Sequence, residues 1–200
     1  MRVLLSLLAG CEAAKLKFRE ESHDEIKYQT KHIPNLIDHF QFASNETYSM
    51  RYLVNDDYWK PNAKQPVFFY TGNEGSIDAF ASNTGFMNEF AKKAGALIVY
   101  AEHRYYGTSL PFGQDSFTKE KIKYLTVEQA LADYANLMVD MRENQGAADS
   151  AFITFGGSYG GLLSAYMRMM YPQLVQGSLA ASAPVYWISG MKDSHGSGKR

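Results

Sequence analysis

Residues 151–161, with the sequence AFITFGGSYGG, decide the fold of this 200-residue chain. The first five residues are apolar and predict a strand, and residues 162–171 predict a helix that ends before Pro172. Between them lies the pattern G-x-S-x-G, with Ser158 at its centre. A serine on such a turn is exposed at the carboxyl end of a sheet, where the helix N-terminus favours developing negative charge. The pattern predicts that Ser158 is a catalytic nucleophile, and the alternative is an N-capping serine in a Gly-rich turn.

The tight turn around Ser158 is predicted to need the room left by four flanking glycines, Gly156, Gly157, Gly160 and Gly161. A nucleophilic serine also needs two N–H donors for the oxyanion that forms on its substrate. The N–H of Tyr159, the next residue, is expected to be the first donor. The second should come from the loop after an earlier strand, where TGNEG at residues 71–75 offers the N–H of Asn73 or Gly72.

Charged residues accompany two of the predicted strand ends. Glu74 either holds a cationic substrate group, such as a free peptide amine, or is tied into a hydrogen bond of its loop. Glu102 and His103 follow the apolar run ALIVYA at residues 96–101. Charges at such a place are expected to be paired and to hold the loop in shape, with direct substrate contact as the alternative. His103 precedes Ser158, whereas the acid and then the histidine follow the serine in the chain order of this motif.

The general base is not identified by the sequence. After Ser158 the only acid is Asp193 and the only histidine is His195, two residues apart. The acid and base of a triad come from separate loops, so neither residue is assigned. A serine without its base loses most of its catalytic advantage, so the chain as written is expected to be nearly inactive. The other histidines are expected at the surface or on an edge strand: His23, His32 and His39.

The rest of the pattern predicts an α/β fold. Apolar runs predict strands at residues 66–71, 96–101 and 151–155, and the small residues 177–183 could form a fourth strand. Helices are predicted at residues 84–93, after Leu125 and at residues 162–171. Thr126 and Gln129 form a capping box for the middle helix. Strands that are apolar on both faces and separated by helices belong to a mostly parallel sheet with helices on both faces. Residues 38–54 alternate and predict an antiparallel hairpin at the sheet edge, with a turn near Asn45.

The composition is that of a globular protein. Hydrophobic residues make up 46%, and 20 Lys plus Arg against 21 Asp plus Glu leave a net charge of -1. Since there is no basic excess, no nucleic-acid partner is expected.

The N-terminus predicts a secretory signal peptide at residues 1–13. A basic start is followed by the short apolar run at residues 3–9 and then by small residues. This run is too short to span a bilayer, so no membrane span is expected. Cys11 is the only cysteine, and a lipobox that makes it a lipid anchor is the alternative. Asn45 begins the N-glycosylation pattern Asn-Glu-Thr, which is consistent with secretion.

Several motifs occur together in one order: FFYTGNEG, AEHRYYGTSLPFG, LTVEQALADY, GGSYGG and LAASAPV, within residues 68–185. With Asp38-His39-Phe40 near the start, they resemble the family of lysosomal and secreted serine peptidases that contains prolyl carboxypeptidase and dipeptidyl peptidase II. The likeness covers roughly residues 38–185. The resemblance implies a secreted or lysosomal serine exopeptidase that cleaves beside proline in short peptides.

The resemblance also implies an α/β-hydrolase core, a Ser-Asp-His triad acting through an acyl-enzyme, no metal and no cofactor. Residues 14–190 are then the N-terminal part of the catalytic domain and residues 191–200 a ragged tail. The helical cap and the C-terminal part are missing, as in a fragment or a truncated product. The oligomeric state stays open, with a homodimer as one option, as does the choice between carboxypeptidase and dipeptidyl peptidase.

Two other functions are compatible with the same motifs. One is a lipase or esterase on the same fold, against which Glu74 and Glu102 argue because charges suit peptide termini better than lipid chains. The other is a truncated, non-catalytic form that binds peptides.

Overall fold

The computed structural model describes residues 26–185. Its strands are β1 Gln29–Leu36, β2 Thr47–Asn55, β3 Val67–Thr71, β4 Leu97–Ala101, β5 Phe152–Gly157 and β6 Val175–Ala181. They form a sheet in the order β1-β2-β4-β3-β5-β6. Strands β4, β3, β5 and β6 pair in parallel, and β2 and β1 are added antiparallel at one edge. The predicted α/β fold with a mostly parallel sheet is confirmed.

Helices cover both faces of this sheet, as predicted. They are α1 Ile77–Asn83, α2 Gly85–Ala94, α3 Val127–Asn144 and α4 Ser158–Met170. Phe69 and Val99 point into a core built with α3 and α4, while Phe68 and Ile98, their neighbours in sequence, point into a core built with α1 and α2. Strands β3 and β4 are therefore buried along their whole length. Buried parallel strands of this kind need apolar residues at every position.

Of the two hydrogen bonds expected for the capping box at the start of α3, one is present. The Thr126 hydroxyl accepts a hydrogen bond from the Gln129 N–H at 3.3 Å. The Gln129 side chain, however, does not return to the cap. Its Oε1 accepts from the His39 N–H at 2.9 Å and its Nε2 donates to Asp38 at 2.6 Å. The Gln129 side chain therefore bonds the loop before β2 and not, as the local pattern had predicted, the first turn of α3.

The edge hairpin is present, but the prediction of its first strand was wrong. Strand β1 lies upstream of residue 38, and residues 37–46 form the loop to β2. In that loop Phe40 and Phe42 are 58% and 101% exposed, so their alternation does not reflect a buried face. Strand β1 was missed because it is an edge strand with a polar sequence that contains Pro34. Asn45 lies exposed in the same loop.

The sequence-based predictions for residues 1–13, Cys11, His23, residues 191–200, Asp193 and His195 lie outside the described residues. Among the helices of residues 26–185, none is both long and apolar enough to cross a lipid bilayer.

Candidate active site

The turn of the predicted nucleophile Ser158, called the nucleophile turn below, joins β5 to α4. Ser158 is the first residue of α4, is exposed, and has a φ of 54°, in the left-handed region. A residue other than glycine adopts this backbone conformation only where the surrounding structure enforces it. Such strain is common at catalytic residues. The turn therefore presents the Ser158 hydroxyl at the carboxyl end of the parallel strands, as the G-x-S-x-G pattern predicted.

Two of the flanking glycines show how tightly the turn is packed. A Cβ atom on Gly156 would lie 2.1 Å from the carbonyl oxygen of Gly160, and one on Gly160 would lie 2.7 Å from that of Thr71. Gly161 is also crowded, since its Cβ atom would lie 2.8 Å from the Ala181 carbonyl oxygen. Gly157 does not fit the prediction, because a Cβ atom there would meet nothing within 4 Å.

The three candidate oxyanion donors differ in whether their N–H groups are already hydrogen-bonded. The Tyr159 N–H lies in the first turn of α4, where backbone N–H groups have no acceptor within the helix. The Gly72 N–H donates to the Ala101 carbonyl at 3.1 Å, so the prediction that offered it as a donor was wrong. The Asn73 N–H has no backbone acceptor within residues 26–185. Tyr159 and Asn73 therefore keep N–H groups that a substrate oxyanion could engage.

The loop that carries Asn73 is fastened on two sides. The Thr71 hydroxyl donates to the Gly160 carbonyl at 2.7 Å, and the Asn73 Nδ2 donates to the Gly157 carbonyl at 3.2 Å. From α3, the buried Tyr134 hydroxyl donates to the Gly72 carbonyl at 2.8 Å. The loop and the nucleophile turn are thus one hydrogen-bonded unit.

Glu74 is exposed on the same loop. Its carboxylate accepts no hydrogen bond within the part of the chain that the structure describes, so the alternative of a loop-tied carboxylate is not what the structure shows. The negative charge of Glu74 affects the pKa of two nearby tyrosines. Burial is the main cause of the raised pKa of Tyr106, and Glu74 adds to it. For Tyr159, burial again raises the pKa most, followed by Tyr106 and then Glu74.

His103 lies close to the nucleophile turn without contacting the Ser158 hydroxyl. The ring is fully buried, and its Nδ1 lies 2.6 Å from the Arg104 carbonyl oxygen. A carbonyl only accepts, so Nδ1 carries the proton and Nε2 accepts from the Tyr159 hydroxyl, 3.1 Å away. Burial lowers the pKa of His103 to about 4, although the Arg104 carbonyl and Asp133 oppose this. The neutral ring is a structural group, in agreement with the prediction that it is not the base.

Glu102 is also structural, as predicted. The fully buried carboxylate accepts from the Arg51 guanidinium at 2.7 Å, the Ile77 N–H at 3.1 Å and the Ser109 hydroxyl at 2.8 Å. Burial alone would raise the pKa of Glu102, but Arg51, Ile77 and Ser109 outweigh burial and hold that pKa below its ordinary value. Glu102 therefore fixes the start of α1, just after the loop of Asn73.

Arg104, which follows Glu102 and His103, is also paired, as expected for the charges after β4, but the sequence did not identify its buried partner. Arg104 and Asp133 are both fully buried, and two guanidinium nitrogens of Arg104 lie 2.6 and 2.8 Å from the Asp133 carboxylate. That carboxylate also accepts from the Tyr48 hydroxyl at 2.6 Å and lies 2.7 Å from the His39 ring. The partners come from distant parts of the chain, so no local pattern indicates them.

The described residues bring together an exposed serine hydroxyl and two N–H groups that a substrate could engage, but no base contacts that hydroxyl. Within residues 26–185, no histidine or carboxylate hydrogen-bonds the Ser158 hydroxyl. His32 is exposed on the edge strand β1, as predicted. His39 instead lies in the loop before β2, with a side chain that is 13% exposed and bonded to the buried Asp133, so the predicted surface or edge-strand position was wrong for this residue. The same residues contain no cluster of His, Cys, Asp and Glu that could hold a metal ion.

Comparison with known proteins places these features in a family context. Residues 35–194 match the family serine carboxypeptidase S28. The chain is 48% identical over 171 residues to lysosomal Pro-X carboxypeptidase of Bos taurus, covering 84% of this chain and 34% of that protein. It is 49% identical over 188 residues to lysosomal Pro-X carboxypeptidase of Homo sapiens, covering 93% of this chain and 37% of that protein. The chain spans about a third of the length of these relatives.

Solved structures establish the fold. A peroxisomal α/β-hydrolase of Saccharomyces cerevisiae superimposes with a TM-score of 0.54 at 11% identity, covering 88% of this chain and 48% of that chain. At this identity the likeness concerns the fold alone. The predicted α/β-hydrolase core is confirmed.

Proposed function

Because this chain belongs to the serine carboxypeptidase S28 family, we propose that it carries the nucleophile and the oxyanion hole of a serine exopeptidase that cleaves beside proline in short peptides. The observation that carries the proposal is Ser158, exposed at the start of α4 with a φ of 54°. The N–H groups of Asn73 and Tyr159, for which residues 26–185 provide no backbone acceptor, support it.

The proposed reaction is acyl transfer. The Ser158 hydroxyl attacks the carbonyl carbon of the scissile peptide bond while a general base takes its proton. The N–H groups of Tyr159 and Asn73 then hold the oxyanion of the tetrahedral intermediate. The intermediate expels the amine, which takes up the proton, and water hydrolyses the acyl-enzyme to release the acid and restore Ser158. In the proposed reaction the base is a histidine paired with an aspartate, as the family resemblance suggests, and we propose that both lie outside residues 26–185.

Glu74 is the proposed contact for a cationic group of the substrate. Its exposed carboxylate has no hydrogen-bond partner within residues 26–185 and lies near Tyr106 and Tyr159. A carboxylate in this place suits a free peptide amine, which favours release of an N-terminal dipeptide as a second candidate. The relatives named Pro-X carboxypeptidase favour release of a C-terminal residue as the first.

Two peptides test the proposal on the protein expressed from its full transcript. One has a blocked amine, a penultimate proline and a free C-terminal carboxylate, and the other is a chromogenic amide of a dipeptide with a free amine and proline in second place. We expect hydrolysis of the first, and loss of all hydrolysis in Ser158→Ala. Preference for the second peptide, with a KM raised about tenfold by Glu74→Gln, would establish the second candidate. Activity that persists in Ser158→Ala, or is confined to a simple aryl ester, would contradict the peptidase proposal.

A further inference from the structure

The side chain of Asn73 contacts the nucleophile turn directly. Asn73 is 7% exposed, and its Nδ2 donates to the Gly157 carbonyl at 3.2 Å. Its Oδ1 accepts from the Tyr70 hydroxyl at 3.3 Å. A carbonyl can only accept, so the contact with Gly157 fixes which end of the amide faces the turn. Both ends of the carboxamide are therefore used, one on β3 and one on the residue before Ser158.

The amide also packs against the residue two places after Ser158. A Cβ atom on Gly160 would lie 2.9 Å from the Asn73 Oδ1 and 3.0 Å from its Cγ. The Asn73 side chain thus lies against the turn on both sides of the nucleophile. Crowding at Gly160 leaves the amide little freedom to shift toward the helix.

Among the described residues, few other hydrogen bonds hold this loop against the turn. The Gly72 N–H bonds the end of β4, and the Gly75 N–H bonds the Asn73 carbonyl within the loop. Among residues 26–185, the side-chain hydrogen bonds from residues 71–75 to the turn come from Thr71 and Asn73. Thr71 still belongs to β3, so Asn73 is the link that the loop itself contributes.

This link matters because the two oxyanion donors lie on different segments. One is the N–H of Tyr159 on α4 and the other is the N–H of Asn73. An oxyanion is stabilised only when both donors lie about 2.7–3.1 Å from it, and a misplacement of about 1 Å can cost about 100-fold in rate. A bond between the Asn73 side chain and Gly157 couples the position of the second donor to that of the nucleophile.

We propose that Asn73 acts as a positioning residue through its side chain. The carboxamide sets the distance between the two oxyanion donors, and the main-chain N–H of Asn73 is one of these donors. This inference rests on the proposed function. It differs from a merely structural role in one respect. A structural amide would affect stability and substrate binding, whereas a positioning amide affects the transition state more than the bound substrate.

The test is Asn73→Asp, which keeps the shape and the main-chain N–H but turns a carboxylate oxygen toward the Gly157 carbonyl. We expect kcat on the preferred peptide to fall about 10- to 100-fold, with KM changed by less than about threefold. Binding of a competitive inhibitor that mimics the substrate should be unchanged. Asn73→Leu, which has a similar shape and no charge, should also lower kcat with little change in KM. It replaces the acidic variant in the test if that variant does not fold.

The matched control is Asn83→Asp, which makes the same chemical change at an exposed asparagine of α1. It should leave kcat within about twofold. A kcat within twofold of wild type in both Asn73 variants, or a loss confined to KM, would overturn the inference while Ser158→Ala still abolishes activity. A wild-type protein with no peptidase activity would overturn the proposed function, and this inference with it.

Discussion

At the scale of single residues, His103 shows why proximity to a nucleophile does not define a base. Its Nδ1 donates to the Arg104 carbonyl and its Nε2 accepts from the Tyr159 hydroxyl, so neither nitrogen is available to Ser158. Burial lowers the pKa of His103 to about 4, which keeps the ring neutral at pH 7. The residue holds the side chain of Tyr159, which is the neighbour of Ser158 in the chain.

This buried neutral histidine predicts a pH-dependent stability. The pKa of His103 is about 4 in the folded protein and about 6.5 in the unfolded chain, so between these values only the unfolded chain binds the proton. The contribution is fully present above about pH 6.5 and is lost as the pH falls toward 4. Between pH 7 and 4.5 we expect it to lower the free energy of unfolding by about 2 kcal/mol.

Urea unfolding at the two pH values measures this difference. His103→Asn should lose that part of the pH dependence, because its amide can still donate to the Arg104 carbonyl and does not titrate. An unchanged pH dependence in the variant would show that His103 does not carry this proton linkage.

At the scale of elements, the β5–α4 turn distinguishes two adjacent glycines. Gly156 is closed off by the backbone of Gly160, whereas Gly157 has an extended backbone, with φ -118° and ψ 148°, and open space around the Cβ position. The sequence motif G-x-S-x-G requires glycine at positions 156 and 160 and allows any residue at position 157. Of the four glycines predicted to be required, Gly156, Gly160 and Gly161 are crowded by backbone, and only Gly157 is not.

Two alanine substitutions test this distinction. Gly156→Ala should lower the free energy of unfolding by about 2–4 kcal/mol, because its methyl group meets backbone that cannot move independently. Gly157→Ala should change it by less than about 1 kcal/mol, since an extended alanine is unstrained there and the unfolded chain loses entropy. Thermal or urea unfolding of the two variants gives the comparison. Equal losses would mean that the turn is not packed as described.

The elements that the sequence predicted well are those with a strong local signal. The runs VFFYT and LIVYA became β3 and β4, and residues 84–93 became α2 to within a residue. Helix α1 was missed because seven residues give little periodicity, and β1 was missed because its sequence is polar. Helix α4 begins at Ser158, four residues before its predicted start, because glycines hide the helical pattern there.

At the scale of the whole molecule, contacts between distant segments hold the site, and the sequence alone did not reveal them. Arg104 follows β4 and bonds Asp133 on α3 as well as the carbonyl oxygens of Leu36 and Ile37 at the end of β1. One buried guanidinium thereby ties the edge hairpin and a covering helix to the loop of His103. Such partners are separated by up to 68 residues, so only the folded chain brings them together. The serine was predictable because its motif is local.

The most direct test of the central claim is the reaction of an organophosphonate with the protein expressed from its full transcript, followed by mass mapping of the adduct. A phosphonate attacked by an activated serine takes the place of the acyl intermediate. We expect one adduct per chain, on Ser158, which forms with the native protein and is absent from heat-unfolded protein and from Ser158→Ala. An unlabelled native protein, or an adduct on another residue that persists in Ser158→Ala, would contradict the assignment of Ser158 as the nucleophile.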